Sequence, residues 1–164
     1  MSTYAETNEI LKAISELKSP TVDQILELFN QISYDSIGQA ADNVVTFFHS
    51  GELGDLGVEG NLRPLRILDE MYGFQDAEGR ARMNYSNESQ IFVATEDPRF
   101  VRAMQQALGS PEAFEDFMYG ALDENGIRAL GYFDTMSANL TMHASGDVIA
   151  LVPTSTNIDS VWFR

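Results

Sequence analysis

Apolar residues recur at spacings of three and four through the opening of the chain. Ile10, Leu11, Ile14 and Leu17 fall on one face of a helix, and Ser19-Pro20-Thr21 then interrupts the stripe. Thr21 with Gln24 three residues later has the form of a capping box, in which each side chain satisfies a backbone N–H left over at a helix start. Ile25, Leu28, Phe29 and Ile32 continue as a second stripe, so residues 1–33 are expected to be a helical hairpin.

The next segment reads two ways. Ile37, Ala41, Val44, Val45 and Phe48 fit helical spacing, yet Asn43 to His49 is a β-branched and aromatic run closed by Ser50-Gly51, which suits a strand. Periodicity does not choose between them. Gly51, Gly54, Gly57 and Gly60 mark a loop, Leu62, Leu65, Leu68, Met71 and Tyr72 a helix, and the polar stretch Gln75 to Ser89 another loop. Gln90 to Thr95 is expected to be a strand. Glu96-Asp97-Pro98 turns from it into a helix striped by Phe100, Val101, Met104 and Leu108. Ser110-Pro111-Glu112 opens a further helix with Phe114, Phe117, Met118 and Leu122 on its inner face.

Strand character returns at the end. Gly131 to Asp134 suggests a hairpin, Leu140 to His143 and Asp147 to Val152 flank an Ala144-Ser145-Gly146 turn, and Ile158 to Phe163 alternates. The pattern predicts an α+β fold: the N-terminal helical hairpin, then a mixed helix and sheet core over 34–164 with strands concentrated in the C-terminal half. With 164 residues, 44% of them hydrophobic, one domain spanning 1–164 is expected.

Charge changes the picture. The net charge is −15, and it is uneven. Residues 1–60 sum to −8 and residues 111–164 to −6, whereas residues 61–110 set seven acids against Arg63, Arg66, Arg80, Arg82, Arg99 and Arg102. Direct binding to nucleic acid or an anionic membrane is not expected, because both need surplus positive charge. A protein partner with a basic surface, or an anion held by the middle segment, suits the pattern. The absence of cysteine removes disulfides, thiolate nucleophiles and thiolate metal sites, and fits a cytoplasmic setting. No export signal is read at the N-terminus, and the apolar runs are too short to span a bilayer.

Candidate chemistry is correspondingly narrow. His49 and His143 are the only histidines, neither HExxH nor an EF-hand is present, and Asp123-Glu124-Asn125-Gly126 lacks the later ligands of a calcium loop, so no metal is expected. No GxSxG elbow marks a serine nucleophile. What remains is an ordered set of pieces. Phe48-His49-Ser50-Gly51 ends one apolar run, Ile91 to Pro98 supplies a second element, and Gly131-Tyr132, Asp147 to Pro153 and Ile158 to Val161 follow in turn.

In that order the pieces resemble the ADP-ribosyltransferase family, especially its small phage and toxin-like members, over about residues 43–163. The resemblance implies NAD as co-substrate and modification of a host or defence protein. It implies that His49, with Ser50 and Gly51, binds the adenosine ribose, that Tyr85 stacks on nicotinamide, and that Asp147 stands where the family has its catalytic glutamate. A carboxylate there stabilises the oxocarbenium-like ribose formed when the glycosidic bond breaks. Aspartate is one methylene shorter than glutamate, which is a departure from the family. Arg63, Arg66, Arg80 or Arg82 would meet the pyrophosphate, since a guanidinium fork matches phosphate oxygens.

A second resemblance rests on Ala40 to Val45 read as helix, which is similar to a short stretch of phage anti-restriction proteins that imitate DNA. Its broader form needs no homology. A non-enzymatic acidic inhibitor, of anti-restriction, anti-CRISPR or immunity type, would cover a basic surface of a nucleic-acid-binding partner, with steered association that weakens in salt.

Overall fold

The structure, a computed structural model, describes residues 4–34, 40–49, 81–85, 89–144 and 146–151. Within them the chain forms helix α1 (Tyr4–Glu16), helix α2 (Val22–Phe29), strand β1 (Ala40–His49), strand β2 (Ala81–Tyr85), helix α3 (Gln90–Ala94), helix α4 (Pro98–Leu108), helix α5 (Pro111–Tyr119), helix α6 (Tyr132–His143) and strand β3 (Val148–Leu151).

Local chemistry explains most of the helix starts. At α2 the Thr21 hydroxyl accepts from the Gln24 amide at 3.2 Å while the Gln24 side chain accepts from the Thr21 amide at 3.0 Å, the reciprocal box expected from the sequence. Asp97 caps α4 by accepting from the Arg99 amide at 2.9 Å, and Ser110 caps α5 through the Ala113 amide at 3.0 Å. Both helices begin on proline, whose missing N–H costs nothing in the first turn.

The helices supply the described core. Helix α1 packs on α2, α3 and α4; α2 also meets α4, and α5 links α4 to α6. Phe29 of α2 and Phe100 of α4 are fully buried and stack with ring centroids 4.0 Å apart. Phe114 meets the edge of Phe100, and Ile14, Ile25, Ile91, Met104, Met136 and Leu140 close around them.

The α+β expectation is therefore corrected. The described body is helical, and its buried residues lie in helices or just beyond them. Strands are not concentrated in the C-terminal half: Val148–Leu151 is the single strand among the described residues after β2. Gln90 to Thr95, expected as a strand, is helix α3 for most of its length. Its apolar positions Ile91 and Ala94 are three apart and both buried, while Val93 between them is 45% exposed, so burial follows the helical period rather than strand alternation. The expected hairpin at Gly131 to Asp134 is the start of α6, where the Asp134 carboxylate accepts from the Gly131 amide at 2.6 Å. Leu140 to His143, also expected as a strand, is the end of that same helix, with Met136, Ser137 and Leu140 turned inward.

The three strands pair in the order β2-β1-β3, all parallel. Ala40–His49 is thus extended, the option its β-branched and aromatic run suggests, and the helical reading of Ala40 to Val45 that carried the anti-restriction resemblance is corrected. The expected elements at 51–74 and 158–163 lie outside the described residues.

Candidate functional site

Backbone register fixes where the candidate nucleotide residues sit. His49 is the last residue of β1 and pairs with Leu151 of β3, and Tyr85 is the last residue of β2 and pairs with Phe47. Asp147 is exposed and precedes Val148, which pairs with Thr46. The strands bearing His49 and Tyr85 are therefore neighbours with ends close in register. Asp147 falls level with the residue before Thr46, four positions from His49, or about 13 Å at ~3.3 Å per residue. Ser50 and Gly51 lie outside the described residues, as do Arg63, Arg66 and Arg80.

The second histidine is committed to packing. The Nδ1 atom of His143 lies 2.8 Å from the Asn139 carbonyl, its ring stacks on Tyr34 at 5.1 Å, and the Tyr34 hydroxyl accepts from Asn139 Nδ2 at 3.1 Å. Burial pushes the Tyr34 phenol above its ordinary range. Burial does the same to Tyr132, whose hydroxyl donates to Asn30. Among the described residues no three histidines or carboxylates converge to hold a metal, and no helix is long and apolar enough to cross a membrane.

A cavity of about 270 Å³ opens between α1, α3 and α4, lined in part by Thr7, Asn8, Gln90, Glu96, Asp97 and Arg99. Its polar groups are knitted together. Thr7 and Gln90 are both 6% exposed and joined at 2.5 Å across α1 and α3. Arg99 grips Asp97 with two nitrogens, at 3.0 and 2.9 Å, and reaches Asn8 with the third at 2.9 Å. Hydrogen bonding from Arg99 holds the Asp97 carboxyl below its usual range. One arginine of the segment read as anion-binding is thus a tie between α1 and the start of α4.

The outer faces of the helices carry the charge. Exposed carboxylates stand at Glu6, Glu9 and Glu16 on α1, Asp23 and Glu27 on α2, and Glu112, Glu115 and Asp116 on α5. Glu96, Asp123, Glu124 and Asp147 add to them in the connections. Where side chains are described, the exposed cations are Lys12, Lys18 and Arg102. Among the described residues, twelve exposed acids against three exposed bases leave a predominantly negative surface. Spacings of three and four align the acids along each helix, as Asp23 with Glu27 and Glu112 with Glu115 and Asp116.

The sequence reading missed the connection from α5 to α6 as a structured unit. The Leu122–Arg128 bridge is flanked by Ala129 N–H donating to Ala121 at 2.8 Å and Asp123 N–H donating to Ile127 at 2.8 Å. The Asp123 carboxylate closes the tip, accepting from the Asn125 and Ile127 amides at 2.8 Å each. Asp123 to Gly126 is thus a turn built on an aspartate. The available signal was the apolar pair Leu122 and Ile127 flanking that turn sequence. At the base, Gly120 has φ +96°, and a Cβ there would lie 1.8 Å from the Ala129 oxygen. No protein-family model, curated protein or solved structure matches this chain.

Proposed function

We propose that the chain is a non-enzymatic acidic inhibitor that covers a basic surface of a nucleic-acid-binding protein. The observation that carries this reading is the excess of exposed carboxylates on α1, α2 and α5 over exposed cations. Rows of fixed negative charge on rigid helices steer a basic partner during approach and compete with the phosphates it would otherwise bind. The opposed helix faces carry the core, which leaves the charged faces outward. The test is binding to purified nucleases and defence complexes across a salt series. Affinity is expected to fall steeply with salt and to be unchanged by His49→Ala and Asp147→Ala. Salt-independent binding, or loss of binding in either variant, would count against it.

A second reading keeps the resemblance to ADP-ribosyltransferases, with NAD as co-substrate, Asp147 as the catalytic acid and His49, Ser50, Gly51 and Tyr85 around the nucleotide. What supports it is the pairing of the strands that end in His49 and Tyr85. Calorimetric titration with NAD separates the two readings: heat of binding that is lost in His49→Ala favours the enzyme, and its absence favours the inhibitor.

A further inference from the structure

We infer that residues 119–130 form the docking element of this acidic binder, and that its occupant is a basic protein surface with an apolar centre. The inference rests on the inhibitor reading and names the surface that does the work. Four large apolar side chains are exposed in this one short segment: Tyr119 at 53%, Leu122 at 56%, Ile127 at 58% and Leu130 at 69%. Apolar groups gathered in this way on a soluble surface mark contact sites more often than single exposed leucines do.

The segment is rigid enough to present them. Leu122 faces Arg128 across the antiparallel bridge. The Arg128 guanidinium is drawn back to the base of the segment, donating to the Gly120 carbonyl at 3.0 Å and lying 6.0 Å from the centre of the Tyr119 ring. Tyr119 and Leu122 thus both lie beside Arg128. Little ordering entropy is left to be lost on binding.

Charge complementarity selects the partner. Asp123 and Glu124 at the tip, and Glu112, Glu115 and Asp116 on the helix that leads into the segment, are all exposed. Arg128 is the sole cation from Glu112 to Leu130. An apolar centre with an acidic rim fits a partner whose lysines and arginines surround an apolar spot. It disfavours a second copy of the chain, whose own rim would repel it.

The experiment uses the full chain and two synthetic peptides of equal length and charge, one of arginine and glycine and one of arginine and leucine. Amide shifts in NMR spectra at low salt locate each peptide, and calorimetry gives its affinity. The expected result is shifts clustered at 119–130, with the leucine peptide bound about tenfold more tightly. Leu122→Ser with Leu130→Ser should remove that preference while leaving the glycine peptide's affinity unchanged. Equal affinities, or shifts confined to α1 and α2, overturn the docking assignment and leave the inhibitor reading standing. Failure of both peptides to bind overturns both. Sedimentation showing a dimer that the double variant dissociates also overturns the assignment, since the occupant would then be a second copy.

Discussion

Leucine and its apolar neighbours are used in opposite ways in two regions of this molecule. In the body, Ile14, Ile25, Phe29, Phe100, Met104 and Leu140 are sealed between helices. In the connection from α5 to α6, Leu122, Ile127 and Leu130 stand in solvent, and shape is kept by backbone hydrogen bonds, an aspartate turn and a close contact at a glycine. The first region derives its order from removing apolar surface from water. The second derives it from polar geometry and leaves the apolar surface for something else. The stability cost of a substitution should therefore sort by region.

The largest effect is expected in the body. Phe100→Ala removes the ring stacked on Phe29 and should cost roughly 3–5 kcal/mol, read from denaturant midpoints. A loss under about 1 kcal/mol would mean that the stacked pair is not the centre of the core. Next, Gly120→Ala tests the loop's polar frame: with φ at +96° and the Ala129 oxygen 1.8 Å from the new Cβ, it should cost about 2 kcal/mol or more. Its accompanying signature is faster amide exchange at Asp123 and Ala129. Thr21→Ala breaks the capping box of α2 and should cost about 1 kcal/mol in thermal or urea unfolding.

A smaller effect is expected from pH. Asp97 is held below its ordinary carboxylate range of about 3.8, chiefly by the Arg99 hydrogen bond, so its contribution is complete above that value and is lost as pH falls through the depressed one. Solvent screening of this partly exposed pair keeps the contribution under about 1 kcal/mol. The Asp97→Asn variant should lose that part of the acid dependence of stability, and an unchanged acid limb would show that the pair contributes nothing. Smallest of all, Leu130→Ser should shift stability by less than about 0.5 kcal/mol. A large loss there would erase the contrast between the regions.

The parts legible in the sequence were those governed by neighbours in the chain. Thr21 with Gln24, Asp97-Pro98 and Ser110-Pro111 mark helix starts because a cap and its target lie within three residues of each other. Helix α3 and the end of α6 were misread because each is short and contains residues that favour strands in isolation. Ile91 and Ala94 adopt a helix because that places both against α1 and its neighbours, a long-range condition invisible in a six-residue window. The candidate site was less legible. Motif order gives the sequence of His49, Tyr85 and Asp147, but their spacing across the sheet depends on pairing between distant strands and is legible only in the fold. Arg99 looked like one of several cations free for an anion, whereas the fold occupies it with Asp97 two residues before it and with Asn8 from the distant helix α1.

The close approach of Gly120 and Gly131 has a consequence for how this surface can change over generations. A Cβ on Gly131 would lie 2.5 Å from the Gly120 nitrogen, so the chain leaves α5 and re-enters α6 through a single doorway. Because the two ends are already joined, lengthening or rewriting residues 121–130 alters closure entropy only by the logarithm of its size. The segment behaves as a cassette: its contents can be exchanged while the helices that carry it stay as they are.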